Sequence, residues 1–257
     1  MSVQARVMTC MGIPGLPLIQ QGDDLASLVV QAIHNAGETL RNGDIVVVAQ
    51  KIVSKAEGRL VHLADIQPSP QAVELARRAD KDPRLVELIL RESNEILRVR
   101  PGLIIVEHRL GFVCANAGID HSNVRGDEEH VLLLPEDPDR SARDLRRHWM
   151  EAFGLQNLAV IINDSHGRAW RLGTVGVAIG LAGMLPLTDQ RGHSDLVGRT
   201  LQATIIGTAD EIAAAASAVM GQADEALPVV IVRGARYIPG EGRLRDLLRP
   251  KELDLFR

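Results

Sequence analysis

The sequence predicts a mixed α and β protein, built as a single domain over residues 1–257. Short β-branched apolar runs alternate with longer segments whose apolar residues recur at helical spacing. Two apolar runs on either side of Gly111 are typical of a β-hairpin. The chain is long enough to bury a substantial core, and no internal repeat indicates a solenoid.

In the first half of the chain, turn and capping residues divide the apolar runs into elements. The predicted elements are a helix capped by Asp24, a strand from Ile45 to Ala49, a short helix opened by Pro68-Ser69-Pro70, a helix opened by Asp82-Pro83 that runs through Ile96, and a hairpin of Leu103 to Val106 with Phe112 to Ala115.

The second half is predicted in the same way. Its elements are a polar connector from Pro135 to Arg140, a helix from Ser141 to Phe153, a strand from Leu158 to Ile162, a strand from Leu201 to Gly207, a helix started by a capping box at Thr208 to Glu211 and stopped by Gly221, and a strand from Pro228 to Val232. Glycines at 173, 176, 180 and 183 predict close backbone packing or a bend.

Three stretches are richer in oxygen-bearing side chains than their neighbourhood requires. Asn116, Asp120, Ser122 and Asn123 follow the hairpin, Asn163 to Arg168 follow a predicted strand, and Gln222 to Glu225 precede another. Carboxylate, amide and hydroxyl oxygens suit divalent cations. The same residue types also build ordinary turns, so taken singly each stretch fits a turn as well as a metal site. Together they predict one shared site.

Composition limits the classes of ligand. The net charge is −4 and aromatic residues make up only 2% of the chain, so neither the basic surface nor the stacking rings of a nucleic-acid-binding protein are present. Apolar residues total 46% of the chain, and because so few of them are aromatic, the core must be aliphatic. The first ten residues lack an apolar segment, and we expect a cytoplasmic protein with no membrane span. Cys10 and Cys114 are predicted to be small, unpaired thiols.

Lys51 and Lys55 follow the predicted strand at Ile45 to Ala49, where they could hold phosphate as point charges or lie on a solvated surface. The pattern GxxxxGK[ST] is absent from the sequence, so a phosphate site here would not be a P-loop.

Several stretches in order resemble the coenzyme F420-0:L-glutamate ligase (γ-glutamyl ligase) family. They are Gly15 to Ile19, Gly22 to Asp24, Ile52 to Arg59, Arg91 to Ser93, Asn116 to Asp120, Ser122-Asn123, Asp164, Gly167-Arg168 and Met220 to Gln222. The resemblance covers nearly the whole chain. It implies the α+β fold of that family, with two interleaved lobes, and a homodimer.

The resemblance also implies a set of site residues. GTP contacts are expected from Pro14, Gly15, Leu16, Pro17, Gln50, Lys51, Lys55, Asn123, Met220, Gly221, Gln222, Ala223, Asp224, Glu225, Ala226 and Leu227, and metal ligands are expected at Asp120, Asp164, Ser165 and Gln222. The family pattern has Thr where Ser165 stands and, in some members, Glu where Gln222 stands. His166 occupies a position where Gln or Asn is expected and receives no role.

The implied activity is a GTP-dependent ligation of L-glutamate to coenzyme F420-0 through an acyl phosphate, assisted by two divalent ions, Mg²⁺ or Mn²⁺, with K⁺ as a further candidate. Two alternatives remain open at this stage. A metal-dependent amide ligase with a different carboxylate acceptor would use the same phosphate and metal residues. A non-catalytic module would bind GTP without turnover.

Overall fold

The computed structural model describes residues 5–121, 124 and 127–255. Within these residues the α-helices are α1 (Leu25–Asn35), α2 (Gln50–Ala56), α3 (Pro70–Ala79), α4 (Pro83–Arg91), α5 (Pro138–Phe153) and α6 (Thr208–Met220). The strands are β1 (Thr9–Gly12), β2 (Ile45–Ala49), β3 (Leu60–His62), β4 (Ser93–Arg100), β5 (Leu103–His108), β6 (Val113–Ala115), β7 (His130–Leu132), β8 (Ala159–Arg168), β9 (Arg171–Ala182), β10 (Thr188–Asp189), β11 (Ile205–Ile206) and β12 (Val229–Arg233). The predicted mixed α and β class is confirmed.

A five-stranded sheet in the order β1-β12-β2-β8-β9 forms the centre of the molecule. Within it β2 and β8 run parallel, and the other neighbouring pairs are antiparallel. Successive side chains of a strand point to opposite faces, and both faces of this sheet are covered. Val46 and Val48 join the core that contains α1 and α5, whereas Ile45 and Val47 pack with α6.

Smaller sheets flank this centre. Strands β4, β5 and β6 form an antiparallel sheet against which α3 and α4 pack, β3 pairs with β7, and β10 pairs with β11. Helices α1 and α5 are joined by a hydrogen bond, in which the indole Nε1 of Trp149 in α5 donates to the carbonyl oxygen of Ala26 in α1 at 3.0 Å. The expectation of two interleaved lobes stays a prediction.

Four helices begin at side-chain caps that satisfy otherwise unpaired amides in the first turn. The capping residues are Asp24 for α1, Ser69 for α3, Asp82 for α4 and Asp137 for α5, and proline follows the last three caps at the first helical position. Proline suits this position because its missing N–H group would have had no partner there. These starts confirm the predicted helices, except that α5 begins three residues before Ser141.

Four other predictions of local structure were wrong. The helix opened by Asp82 ends at Arg91, because Ser93–Arg100 pairs with β5 as a strand. The strand after Leu158 does not end at Ile162 but continues to Arg168 along β9. Of Leu201 to Gly207, only Ile205–Ile206 is a strand. The capping box does not form, since Gly207 is the N-cap of α6.

Two glycines of β9 permit the close packing expected of that segment. A Cβ atom on Gly180 would lie 2.4 Å from the carbonyl carbon of Pro138, at the start of α5. One on Gly176 would lie 2.6 Å from the carbonyl oxygen of Ala213 in α6. Helices on both faces therefore lie against the backbone of β9, which holds the neighbouring strand β8 firmly.

Candidate active site

A cleft of about 1690 Å³ opens at the edge of the central sheet where β2 ends and β12 begins. Its walls come from segments far apart in sequence: the loop before α1, the start of α2, the polar part of β8, and the loop between α6 and β12. Crevices at the carboxyl ends of parallel strands are common ligand sites. The parallel pair β2 and β8, with Ala49 level with Asn163, brings two of these segments side by side.

Most of the residues implied by the sequence line this cleft. They are Leu16, Pro17, Gln50, Lys51, Lys55, Asp164, Ser165, Met220, Gly221, Gln222, Ala223, Asp224, Glu225, Ala226 and Leu227. Pro14 and Gly15 precede Leu16 in the same loop but do not reach the wall. Asp120 lies just behind it, in contact with two lining residues. Asn123 lies outside the described residues.

Asp120 is held by the first turn of α2. Its Oδ2 accepts a hydrogen bond from Gln50 Nε2 at 2.7 Å, and its Oδ1 lies 3.4 Å from Lys51 Nζ. Ser54 Oγ donates to Gln50 Oε1 at 3.0 Å and so fixes the orientation of the Gln50 amide. The backbone of Asp120 forms an antiparallel bridge to Leu132, which anchors the residue from the other side. Its carboxylate is therefore positioned before any ligand binds.

Burial, with a smaller contribution from the charge of Asp164, raises the pKa of Asp120 to about 6 against the opposing effects of Lys51 and Gln50. The effect of Asp164 means that two carboxylates from distant segments share one electrostatic environment. Two like charges brought together at a partly buried site are unfavourable without a counter-cation. This is the arrangement that a divalent cation stabilises.

Asp164 lies within β8, and its side chain is 12% exposed. Its Oδ2 lies 2.9 Å from His166 Nε2, two residues further along the strand. Cys114 in β6 lies near enough that burial and the charge of Asp164 raise the pKa of its thiol to about 12. Both cysteines are unpaired, as predicted.

Two lysines of α2, Lys51 and Lys55, supply positive charge to the cleft wall. Burial lowers the pKa of Lys55, and the neighbouring charge of Lys51 lowers it further. The two ammonium groups therefore repel each other across one turn of α2. An anion placed between them would relieve that repulsion, as a phosphate group does at many lysine-containing sites.

The segment from Met220 to Leu227 also lines the cleft. Gly221 adopts a φ of +73°, and a Cβ atom there would overlap the carboxyl group of Glu225. Glu225 Oε2 accepts from the backbone N–H of Ala223 at 2.9 Å. Gln222 Nε2 donates to Ser217 Oγ at 3.2 Å, which leaves the amide oxygen of Gln222 as an available acceptor.

The proposed ligand set suits a hard cation. Asp120, Asp164, Ser165 and Gln222 contribute carboxylate, hydroxyl and amide oxygens, which Mg²⁺ and Mn²⁺ prefer over nitrogen and sulfur. Within the ranges 5–121, 124 and 127–255, three or more histidine, cysteine or carboxylate residues do not come together as a metal-binding group. Such a site would therefore depend on two carboxylates, with neutral oxygens completing the shell.

A model of the family described as F420-0:Gamma-glutamyl ligase matches residues 15–234. The chain belongs to this family. It is an enzyme of the ligase class, and the resemblance noted in its sequence is confirmed.

Curated relatives in the family match nearly the full chain, and each is named coenzyme F420:L-glutamate ligase. The relative from Methanothermobacter thermautotrophicus is 52% identical over 97% of this chain and 99% of its own length. Those from Methanopyrus kandleri and Methanocaldococcus jannaschii are 49% and 44% identical, over 93% and 94% of each chain. The similarity thus spans every segment that lines the cleft.

Two side chains of this ligase support the site, although neither of them was given a role from the sequence. Ser54 and His166 contact Gln50 and Asp164, respectively. Their spacing carried the signal: Ser54 follows Gln50 by four residues in a helix, and His166 follows Asp164 by two in a strand, so each pair shares a face. Within the described part of the ligase, no helix has the length and apolar character needed to cross a bilayer.

Proposed function

We propose that this chain joins L-glutamate to coenzyme F420-0 with GTP as the energy source, releasing GDP and phosphate. The observation that carries the proposal is its similarity to relatives named coenzyme F420:L-glutamate ligase, at 52% identity over 97% of the chain for one of them. The charge distribution in the cleft supports it, because two carboxylates stand near two lysines.

The reaction has two steps. A carboxylate of coenzyme F420-0 attacks the γ-phosphorus of GTP, forming an acyl phosphate while the bond to GDP breaks. The amine of glutamate then attacks the acyl carbon, phosphate leaves with the bonding electron pair, and the amine loses a proton to give an amide. No protein nucleophile is needed, so positioning and charge compensation are the main tasks of the site.

Divalent ions, Mg²⁺ or Mn²⁺, would be held by Asp120, Asp164, Ser165 and Gln222. Bound there, they would compensate the negative charge of the triphosphate. Lys51 and Lys55 contribute fixed positive charge to the same region, with Gln50 and the loop from Met220 to Leu227 as further GTP contacts. K⁺ is a further candidate ion.

The volume of the cleft supports simultaneous binding of both large substrates. Typical small-molecule sites enclose about 300 to 1,000 Å³, and this cleft has about 1690 Å³. Its lining also includes the apolar side chains of Leu60, Leu63 and Leu85. Transfer of a phosphoryl group between two bound molecules requires such a shared enclosure, because both reactants must be held in contact.

The proposal includes a homodimer. Trp170, in the turn between β8 and β9, is 87% exposed, and Leu172, at the start of β9, is 98% exposed. Leu196 and Val197 are similarly exposed in the segment that joins β10 to β11. Exposed apolar groups of this size are characteristic of surfaces that pack against another protein. A second copy of the chain is the partner we propose.

The test is to incubate the purified chain with glutamate-free coenzyme F420-0, L-glutamate, Mn²⁺ and either GTP or ATP, and to resolve the products by mass. We expect release of GDP and phosphate that depends on glutamate, with a matching mass gain on the cofactor. Turnover of GTP with a different carboxylate, and none with F420-0, would favour the alternative ligase. Tight GTP binding without turnover would favour the binding module.

A further inference from the structure

In the described part of the chain, the side chain of His166 forms a hydrogen bond with the carboxylate of Asp164. The imidazole is 12% exposed, and its Nε2 lies 2.9 Å from Asp164 Oδ2. An ionised carboxylate only accepts hydrogen bonds, so Nε2 must carry the hydrogen in this contact. Both residues lie on the same face of β8, whose partner strand β9 is packed against helices on both sides.

The imidazole ring is itself held from behind by aromatic packing. The ring of Phe112, which is 8% exposed, lies 5.1 Å from that of His166 at an interplanar angle of 48°. Phe112 in turn stacks on the fully buried ring of His108 at 5.1 Å and 4°. His108 Nδ1 accepts from the backbone N–H of Leu110, which fixes the last ring in this series. His166 therefore has little freedom to turn away from Asp164.

We propose that His166 is a positioning residue for the divalent cation, acting through Asp164. By donating to Oδ2, it fixes the rotamer of the carboxylate and leaves Oδ1 with its lone pairs for the ion. This inference rests on the metal site in the proposed function, since Asp164 is a ligand only there. Partners that orient a metal ligand typically change metal affinity by about 10- to 100-fold when they are removed.

The role assigned to His166 is that of a hydrogen-bond donor rather than a metal ligand. A ring nitrogen that carries a hydrogen has no lone pair for a metal. A glutamine side chain at position 166 would keep an N–H donor of similar reach, whereas a leucine would keep apolar volume beside Phe112 and lose the donor. The two substitutions therefore separate the hydrogen bond from the packing.

The test is calorimetric titration of the nucleotide-free full chain with Mn²⁺ alone, for the wild type, His166→Gln, His166→Leu and Asp164→Asn. His34→Leu is a matched control, because the His34 ring likewise packs tilted against a phenylalanine, Phe153 at 5.2 Å, but does not line the cleft. Thermal midpoints without metal verify that each variant is folded. We expect His166→Leu to weaken Mn²⁺ binding by about 10- to 100-fold, with His166→Gln within about threefold of wild type and His34→Leu unchanged.

Three results would overturn the inference in distinguishable ways. Wild-type affinity in a folded His166→Leu variant would show that Asp164 needs no help from His166. Equal losses in the Gln and Leu variants would assign the imidazole nitrogen itself to the ion, in place of a donor role. An affinity that Asp164→Asn leaves unchanged would remove the metal site on which the inference depends, whatever His166 does.

Discussion

Glu92 is expected to be a major source of stability, and replacing it with Gln tests this directly. Its side chain follows the last turn of α4 and is 11% exposed. Oε1 lies 3.0 Å from Arg59 Nη2, and Oε2 lies 2.9 Å from Arg109 Nε. The Glu92→Gln variant retains the shape of the side chain but leaves two partly buried guanidinium groups without their counter-charge.

The magnitude follows from the pKa of Glu92. Burial alone would raise that pKa, but His108, Arg109 and the charge of Arg59 together outweigh it, and the pKa falls from 4.5 to about 2. His108 Nε2 lies 3.6 Å from Oε2, a longer contact than that of either arginine. At about 1.4 kcal/mol per pKa unit, the ionised carboxylate contributes about 3 kcal/mol.

This contribution has a defined pH dependence. Because the pKa is lower in the folded state, the contribution is complete above about pH 4.5 and is lost as the pH falls through about 2. We expect Glu92→Gln to reduce the free energy of unfolding in urea by about 3 kcal/mol at pH 7 and by about 1.5 kcal/mol at pH 3.

Glu95→Gln is the matched control, since Glu95 is 45% exposed in its pair with Lys251 and its loss should cost less than about 1 kcal/mol. A Glu92→Gln variant within about 1 kcal/mol of wild type at pH 7, or a difference that does not shrink on acidification, would refute the reasoning.

Three further predictions concern the site, the assembly and the sheet. Asp164→Asn should abolish divalent-dependent turnover without loss of fold, because it removes an anionic ligand but little volume; full activity at limiting Mn²⁺ would exclude Asp164. Light scattering should give about twice the chain mass of 27.9 kDa, and Leu196→Asp should lower it; a wild-type monomer at micromolar concentration would refute the dimer. Gly180→Ala should cost about 1–3 kcal/mol against Pro138, whereas Gly167→Ala, with open space around its Cβ position, should not; equal melting temperatures would contradict this.

Elements whose boundaries depend on local chemistry could be predicted from the sequence. The Asp24 cap, the buried run from Ile45 to Ala49 and the glycine after α6 were all placed correctly. Ser93–Arg100 was misassigned because its apolar residues continue the spacing of α4, and only pairing with β5 makes the segment a strand. The polar end of β8 was misassigned because β9, not its own composition, keeps it extended.

The candidate site, too, could be predicted from the sequence only in part. Oxygen-rich stretches around Asp120 and Asp164 were visible in the sequence, and the structure brings their charges into one environment. Their proximity depends on the parallel register of β2 with β8 and on the bridge from Asp120 to Leu132, which are long-range pairings. The role of His166 was missed because its i, i+2 spacing from Asp164 places both on one face only if residues 163–168 are a strand, and that strand was predicted to end at Ile162.

The strand order of the central sheet has a consequence for synthesis of the protein on the ribosome. Strand β2 lies between β8 and β12, so one of its edges waits for a strand made about 180 residues later. At about 5–20 residues per second, that wait lasts roughly 10–40 s. During this interval the apolar run Ile45–Ala49 has an unpaired edge, the kind of surface that nascent-chain chaperones cover. Overproduction of the chain should therefore benefit from slow translation or added chaperone capacity.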